Sequence, residues 1–372
     1  MRTAAATLVA MATLAISQAP AEAAPCTGDT TASAVTPVKG APRLHFGINP
    51  AGFAGALGPP VAETPEDPAK TLEALHELRP DRGRPFALRL NRLFWSDHAA
   101  GVEHFAALAR HYARHGYRIE IQVRYHPTPS QEGHISRWVR YVRRVTRTLG
   151  SIHGVTALQI TNEVNFLPIA PDASDAAFDG AKDALIRGVE AAHRVVHKLG
   201  LRGVRIGFNW AYRNDPSSEN DFWTYLADNG GPRFIRAVDW VGLDAYPGTF
   251  FPPVETPSGY ADGMVNAMSV LRDCFMPIPG LGPKVPMKVE ENGWPTGPGR
   301  SEATQVTALR EMVRAVNRLR GNYGVTDYRW FDLRDHNTSS LNFQHHYGLL
   351  RDDYSQKPAF GVYRRLVARL AA

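Results

Sequence analysis

The sequence predicts an α/β fold, a single-domain (β/α)8 TIM barrel, on three observations. Short β-rich runs alternate with stretches of helical periodicity, eight of them in all. They are spread over residues 43–372, with no internal repeat. Nothing in composition divides that span into two domains. Strict strand–helix alternation of this length fits a closed parallel barrel better than a doubly wound sheet.

The strand runs are LHFGI (44–48), FALRL (86–90), IEIQV (119–123), ALQIT (157–161), VRIGF (204–208), WVGLD (240–244), VPMKVE (285–290) and DYRWF (327–331). Between them, apolar residues recur at three- and four-residue spacing, the mark of a helix with one face on a core. The stripes are Val102, Phe105, Ala109 and Tyr112; Ile135, Trp138, Val142, Val145 and Leu149; Leu185, Val189, Ala192, Val196 and Leu199; Val306, Leu309, Val313 and Val316. Segments 209–238 and 245–284 carry short or broken helical signals, so the fifth and sixth units are the least regular.

Residues 1–24 carry Arg2, an Ala/Leu/Val run, and Ala21 and Ala23 in an A-x-A cleavage pattern, which reads as a secretory signal peptide. A secreted protein is expected. The apolar run falls short of the roughly 20 residues a spanning helix needs, and no later stretch approaches that length, so no membrane association is expected. Cys26 follows Pro25 and lacks the small residue that lipid attachment wants just before it. Residues 25–42, small, polar and Pro-containing, read as an N-terminal tether.

Two cysteines remain, Cys26 and Cys274. An oxidising compartment favours their pairing; two free thiols, with Cys274 packed as a small apolar residue, are the alternative. The net charge of +6 comes from 42 Lys and Arg against 36 Asp and Glu. Its Arg excess lies on helical stretches such as RWVRYVRRVTR (137–147), which read as solvated outer faces. With no basic tract interleaved with aromatics, no nucleic-acid partner is expected. A monomer is expected.

In such a barrel, functional groups sit at the carboxyl ends of the strands. The fourth run leads into QITNEVN (159–165), with Asn162 and Glu163; the seventh leads into VEENGWP (289–295), with Glu290 and Glu291. Alone, a strand-ending Glu reads as a solvated residue or a helix cap, and Gly-Trp-Pro as a turn. Together they set carboxyl groups on facing walls of one pocket, the arrangement glycoside hydrolysis uses. Strand alternation puts Glu290 and Glu291 on opposite faces, so only one is expected to enter the mouth. Alternation does not say which.

With these motifs in this order, the chain resembles the 4/7 superfamily of retaining glycosidases, clan GH-A. ENGWP (291–295) is similar to the E-x-G-W-P of plant-type β-1,3-glucanases, whose extended motifs are otherwise not found, so that specificity is not carried over. The resemblance implies Glu163 as acid/base and Glu291 as nucleophile, and leaves Glu290 to packing or a salt bridge. It makes Arg89 the cation that keeps the nucleophile ionised, a structural ion pair being the alternative. Tyr246 would orient the nucleophile, or anchor a turn. Asn162 would bond the sugar hydroxyl beside the reacting carbon. Trp330 would lie under the sugar, with Trp294 and Trp210 as further platforms, core packing being the alternative for each. His126 in RYHPT would reach the pocket sugar, or cap its loop.

The function implied is a secreted retaining glycoside hydrolase that cuts O-glycosidic bonds of a polysaccharide or oligosaccharide by two-Glu double displacement. An endo-β-glycanase is expected. The alternatives are an exo-acting arabinofuranosidase or xylosidase type and a catalytically silent carbohydrate-binding barrel. No cofactor is expected, and no metal: the adjacent histidines of FQHHYG (343–348) do not share one face of a helix or strand. G-x-S-x-G and G-x-x-x-x-G-K-[ST] motifs are absent.

Overall fold

The computed structural model describes residues 30–51, 62–79, 83–166, 172–212, 216–250, 254 and 259–372. The signal-like segment 1–24, Cys26 and much of the loop 246–260 lie outside the described residues.

Eight parallel strands close into a barrel in chain order. They are β1 (His45–Ile48), β2 (Ala87–Phe94), β3 (Arg118–Arg124), β4 (Val155–Ile160), β5 (Arg205–Ala211), β6 (Trp240–Asp244), β7 (Met287–Asn292) and β8 (Val325–Trp330). The helices between and after them are α1 (Pro68–Leu78), α2 (His98–Arg114), α3 (Ile135–Leu149), α4 (Ala181–Leu199), α5 (Pro216–Ala237), α6 (Gly259–Ser269), α7 (Glu302–Tyr323) and α8 (Pro358–Leu370). Closure comes from β1 on β8, registered from His45 on Asp327 to Ile48 on Trp330. The architecture is the one the alternation predicts.

The helical stripes face the barrel, with one exception. Leu199 is 44% exposed. It ends α4 just before Gly200, whose φ of 65° turns the chain away. The irregular fifth and sixth units have physical breaks. Helical hydrogen bonding in α5 spans a kink at Gly231 (φ 63°, ψ −175°) followed by Pro232, and α6 widens into a π-helical stretch at Val270–Phe275.

Alternation along β3 sends Ile119, Ile121 and Val123 to the helices, while Glu120, Gln122 and Arg124 turn inward. Barrel interiors are usually filled with branched apolar side chains. This one holds a column of charge. Glu120 binds Lys288 and, at 2.8 Å, Arg329, which also holds Asp327 at 2.8 Å. Next along the column, Glu290 lies 3.8 Å from Lys288 and 3.4 Å from Arg89. Burying a lone ion costs several kcal/mol, so this interior depends on its pairing. It also needs room: a Cβ on Gly242 would come within 2.9 Å of Asn209 Cβ and Glu290 Cγ.

Residues 31–42 run along α6 and α7. The Ala32 N–H donates to Asp262, the Val38 N–H to Asn322, and Arg320 to the Ala41 carbonyl. Among the described residues, no helix is long and apolar enough to cross a membrane.

Candidate active site

The charged column ends at the carboxyl ends of the strands, and there a bulge resolves the Glu290–Glu291 question. Pairing of β6 with β7 goes from Leu243–Val289 directly to Asp244–Glu291, and β8 skips from Val289 to Asn292. The extra residue turns both glutamates inward, which corrects the expectation of opposite faces, while of the two only Glu291 reaches the mouth. Glu290 is 1% exposed and sits in the column. Glu291 lines the pocket at the mouth, and Asn292 turns outward to Met264 and Met312.

Two donors fix Glu291. Arg89 Nη1 donates to Oε1 at 2.6 Å, and the Tyr246 hydroxyl donates to Oε2 at 2.7 Å. Arg89 also reaches Gln159 Oε1 at 2.8 Å and is 1% exposed, so it works from beneath the pocket. Donors of this kind stabilise a charged carboxylate.

Opposite stands Glu163, just past β4. It and Thr161 adopt positive φ values of 46° and 65°, a costly conformation away from glycine that aims side chains off the strand line. Asp175 secures this bend: its Oδ2 accepts the Asn162 and Tyr125 N–H groups, and its Oδ1 accepts Arg124 Nε at 2.7 Å. Asn162 lines the pocket, its Oδ1 accepting from Gln122 and Asn209. Asn209 Oδ1 in turn accepts the Glu163 N–H at 3.0 Å.

Carboxyl oxygens of Glu163, Glu291 and Asp244 lie within 4.8 Å of one another. Two charges at that distance repel by ~3.5 kcal/mol at an effective dielectric near 20, enough to keep a proton in the site. Burial, then the Glu291 charge, push the Glu163 carboxyl up to about 8. Asp244 is raised well above the usual carboxylate range by burial, then by Glu291 and Glu163. Among the described residues these three form the one acidic cluster able to hold a metal ion. Of the three, Glu291 is the one that Arg89 contacts.

Of the residues singled out in the sequence, Glu163, Glu291, Asn162 and Tyr246 line the pocket and Arg89 supports it. Four do not meet there. Trp330 is fully buried on the outer side of β8, 6.4 Å from the Tyr363 ring, and its neighbour Phe331 lines the pocket instead. Trp210 also faces outward, donating to Glu219 at 2.6 Å, while Tyr212 lines the pocket. Trp294 is buried beneath the Arg300 guanidinium, 4.5 Å away. His126 stacks on Phe94 at 4.4 Å and meets Ser96 Oγ at 3.2 Å, which ties down its loop.

Sequence reasoning missed Asp244, Arg92, Arg124, Phe331 and Tyr347 in the lining. Asp244 ends the run WVGLD, so the strand-end rule applied to charge would have found it. Arg124 ends β3 and Phe331 ends the run DYRWF, within reach of the same rule, whereas Arg92 depends on the register shift in β2 and Tyr347 on a loop path, for which the sequence has no local signal.

No family model matches the sequence. Among solved structures, GH5_18 from Streptomyces cattleya with bound GlcNAc superposes with a TM-score of 0.59 at 16% identity, over 88% of this chain and 80% of that one. A family 39 glycoside hydrolase from Bacteroides cellulosilyticus gives 0.61 at 16% identity, over 88% and 64%. A fungal β-1,4-galactanase gives 0.57 at 14%, over 87% and 100%. The chain shares their fold. In sequence it is 22% identical to a "probable glucan endo-1,3-beta-glucosidase" of Aspergillus niger over 190 residues, 51% of this chain and 37% of that relative.

Proposed function

We propose that the chain is a retaining glycoside hydrolase, with Glu291 as nucleophile and Glu163 as acid/base. The observation that carries this is the approach of two differently treated carboxyls, one oxygen of each lying within 4.8 Å of the other. Direct attack on a sugar wants roughly 5 to 5.5 Å between the carboxyl groups, whereas water activation for inversion wants about 6.5 to 9.5 Å. Glu291, held by Arg89 on one oxygen and Tyr246 on the other, is an oriented nucleophile beside a fixed cation. Glu163, pushed up to about 8, keeps its proton at neutral pH and can give it to the departing oxygen. Once the glycosyl-enzyme has formed, Glu163 takes a proton from water and the ester breaks.

The substrate is a polysaccharide or oligosaccharide, with endo-β-glycan cleavage as the preferred reading. The ENGWP motif and the fungal relative's name support it. Phe250, Phe331, Tyr347 and Tyr212 supply apolar walls suited to sugar C–H faces. Residues 1–24 act as an export signal, residues 43–372 as the catalytic barrel, and Cys26 pairs with Cys274; a half-buried Cys274 with no free cysteine among the described residues supports the pairing. The protein works as a monomer on carbohydrate, without cofactor, nucleic acid or membrane. A panel of polysaccharides, with product lengths resolved and Glu291→Gln as control, tests this reading: internal cleavage that the variant lacks supports it. Hydrolysis undiminished in Glu291→Gln would remove the assigned nucleophile.

A further inference from the structure

Asp244 is a buried titratable group that the double displacement does not use. It ends β6, is 1% exposed, and lines the pocket beside both glutamates. Its Oδ2 accepts from Asn209 Nδ2, and the same amide receives the Glu163 N–H on its Oδ1. One side chain therefore sets the spacing of Asp244 and Glu163. Asp244 Oδ1, though buried, has no hydrogen-bond partner among the described residues.

The groups facing Asp244 are Glu163 beyond β4, Asn209 on β5, Tyr246 just past β6, Glu290 and Glu291 on β7, and Arg89 on β2. Arg89 is the one cation in that set, and it is engaged by Glu291 at 2.6 Å and Glu290 at 3.4 Å. Asp244 thus meets anions with no cation of its own, at a position almost fully buried. A neutral acid suits that position, and a neutral acid has a proton to donate.

We propose that Asp244 is an uncharged third carboxyl of the site, which donates a hydrogen bond to Glu163 once Glu163 has given up its proton. The inference rests on Glu163 being the acid/base. When the Glu163 proton passes to the glycosidic oxygen and the C–O bond breaks, the new carboxylate meets an O–H donor instead of a second negative charge. Attacking water later returns a proton to Glu163. Asp244 keeps its own proton throughout and acts through Glu163, as a positioning residue. The upward pressure that burial and the two glutamates put on its carboxyl agrees with this state.

Two substitutions of similar shape separate a neutral donor from an anion. Asp244→Asn is neutral and still a donor, so the basic limb of the kcat/KM profile should stay in place. Asp244→Val has no donor: the limb should move to higher pH, and turnover should fall about tenfold or more on poor leaving groups while activated aryl glycosides suffer less. If Asp244 is charged, both substitutions remove an anion beside Glu163 and the limb moves to lower pH in each, which overturns the proposal. An infrared difference spectrum between wild type and Asp244→Asn at neutral pH needs no substrate. It should contain the carbonyl band of a protonated acid, and its absence would also overturn the proposal. A protein that shows the band yet cleaves no glycoside would fail the acid/base reading alone.

Discussion

Glu163 costs the folded protein stability. Its carboxyl titrates at about 8 in the fold, against an ordinary glutamate value of 4.5. The native state therefore holds a proton that the unfolded chain releases, and stability falls as pH rises between those values, the full cost being reached above about 8. Glu163→Gln removes that cost while keeping the shape. Its melting temperature should exceed wild type, with a gain of roughly 1–3 kcal/mol after allowing for access from the pocket, near zero below the unfolded pKa and growing toward alkaline pH. Equal melting at all pH values would mean that Glu163 is not perturbed. Activity has the same sign: cleavage of unactivated glycans should decline as pH passes through about 8, because the acid is lost. Glu290 differs from both catalytic candidates. Burial, then Glu120, push it up to about 7, and a neutral amide replaces it with little loss, since Lys288 retains Glu120 and Arg89 retains Glu291. Glu290→Gln should hydrolyse substrate at close to the wild-type rate. A collapse comparable to that of Glu291→Gln would show that the bulge has been misassigned.

Among the elements, β7 shows what the sequence could and could not reveal. Its apolar run and the carboxylates after it were legible, because a period of two and the strand-end rule need only local pattern. The bulge was not, since it arises from pairing with β6 and β8. The same limit explains the tryptophans: Trp330 and Phe331 are adjacent and point oppositely, and the motif could not choose between them. Helix α4 follows its apolar stripe to the last turn, where Gly200 ends the helix and leaves Leu199 outside the core. Strand β6 carries its own test. Gly242→Ala would drive a Cβ to 2.9 Å from both Asn209 Cβ and Glu290 Cγ, so we expect destabilisation of roughly 1–3 kcal/mol, seen as a lower melting temperature. Unchanged melting would mean that the column yields more easily than its packing implies.

For the whole molecule, the barrel's charged interior gives Glu291 a short contact with a cation, while Glu163 and Asp244, beside it at the mouth, have no ion pair of their own among the described residues. Arg89 is anchored below the mouth and spends its short contact on Glu291. The pairing of Cys26 with Cys274 would add a covalent tie at Cys274, in the stretch Val270–Phe275 before β7; mass spectrometry of the exported protein should find no free thiol, and reduction should leave activity intact. Two free thiols would refute the pairing without touching the mechanism. If the barrel divides a double displacement between Glu291 and Glu163, azide rescue on an activated aryl glycoside separates the two roles. In Glu291→Ala no glycosyl-enzyme can form, so azide attacks from the vacated side and gives a glycosyl azide of inverted configuration. In Glu163→Ala the covalent intermediate still forms, and azide attacks it from the other side with net retention. Opposite anomers are expected from the two variants; the same anomer from both, or undiminished hydrolysis in either, would rule out this division of roles.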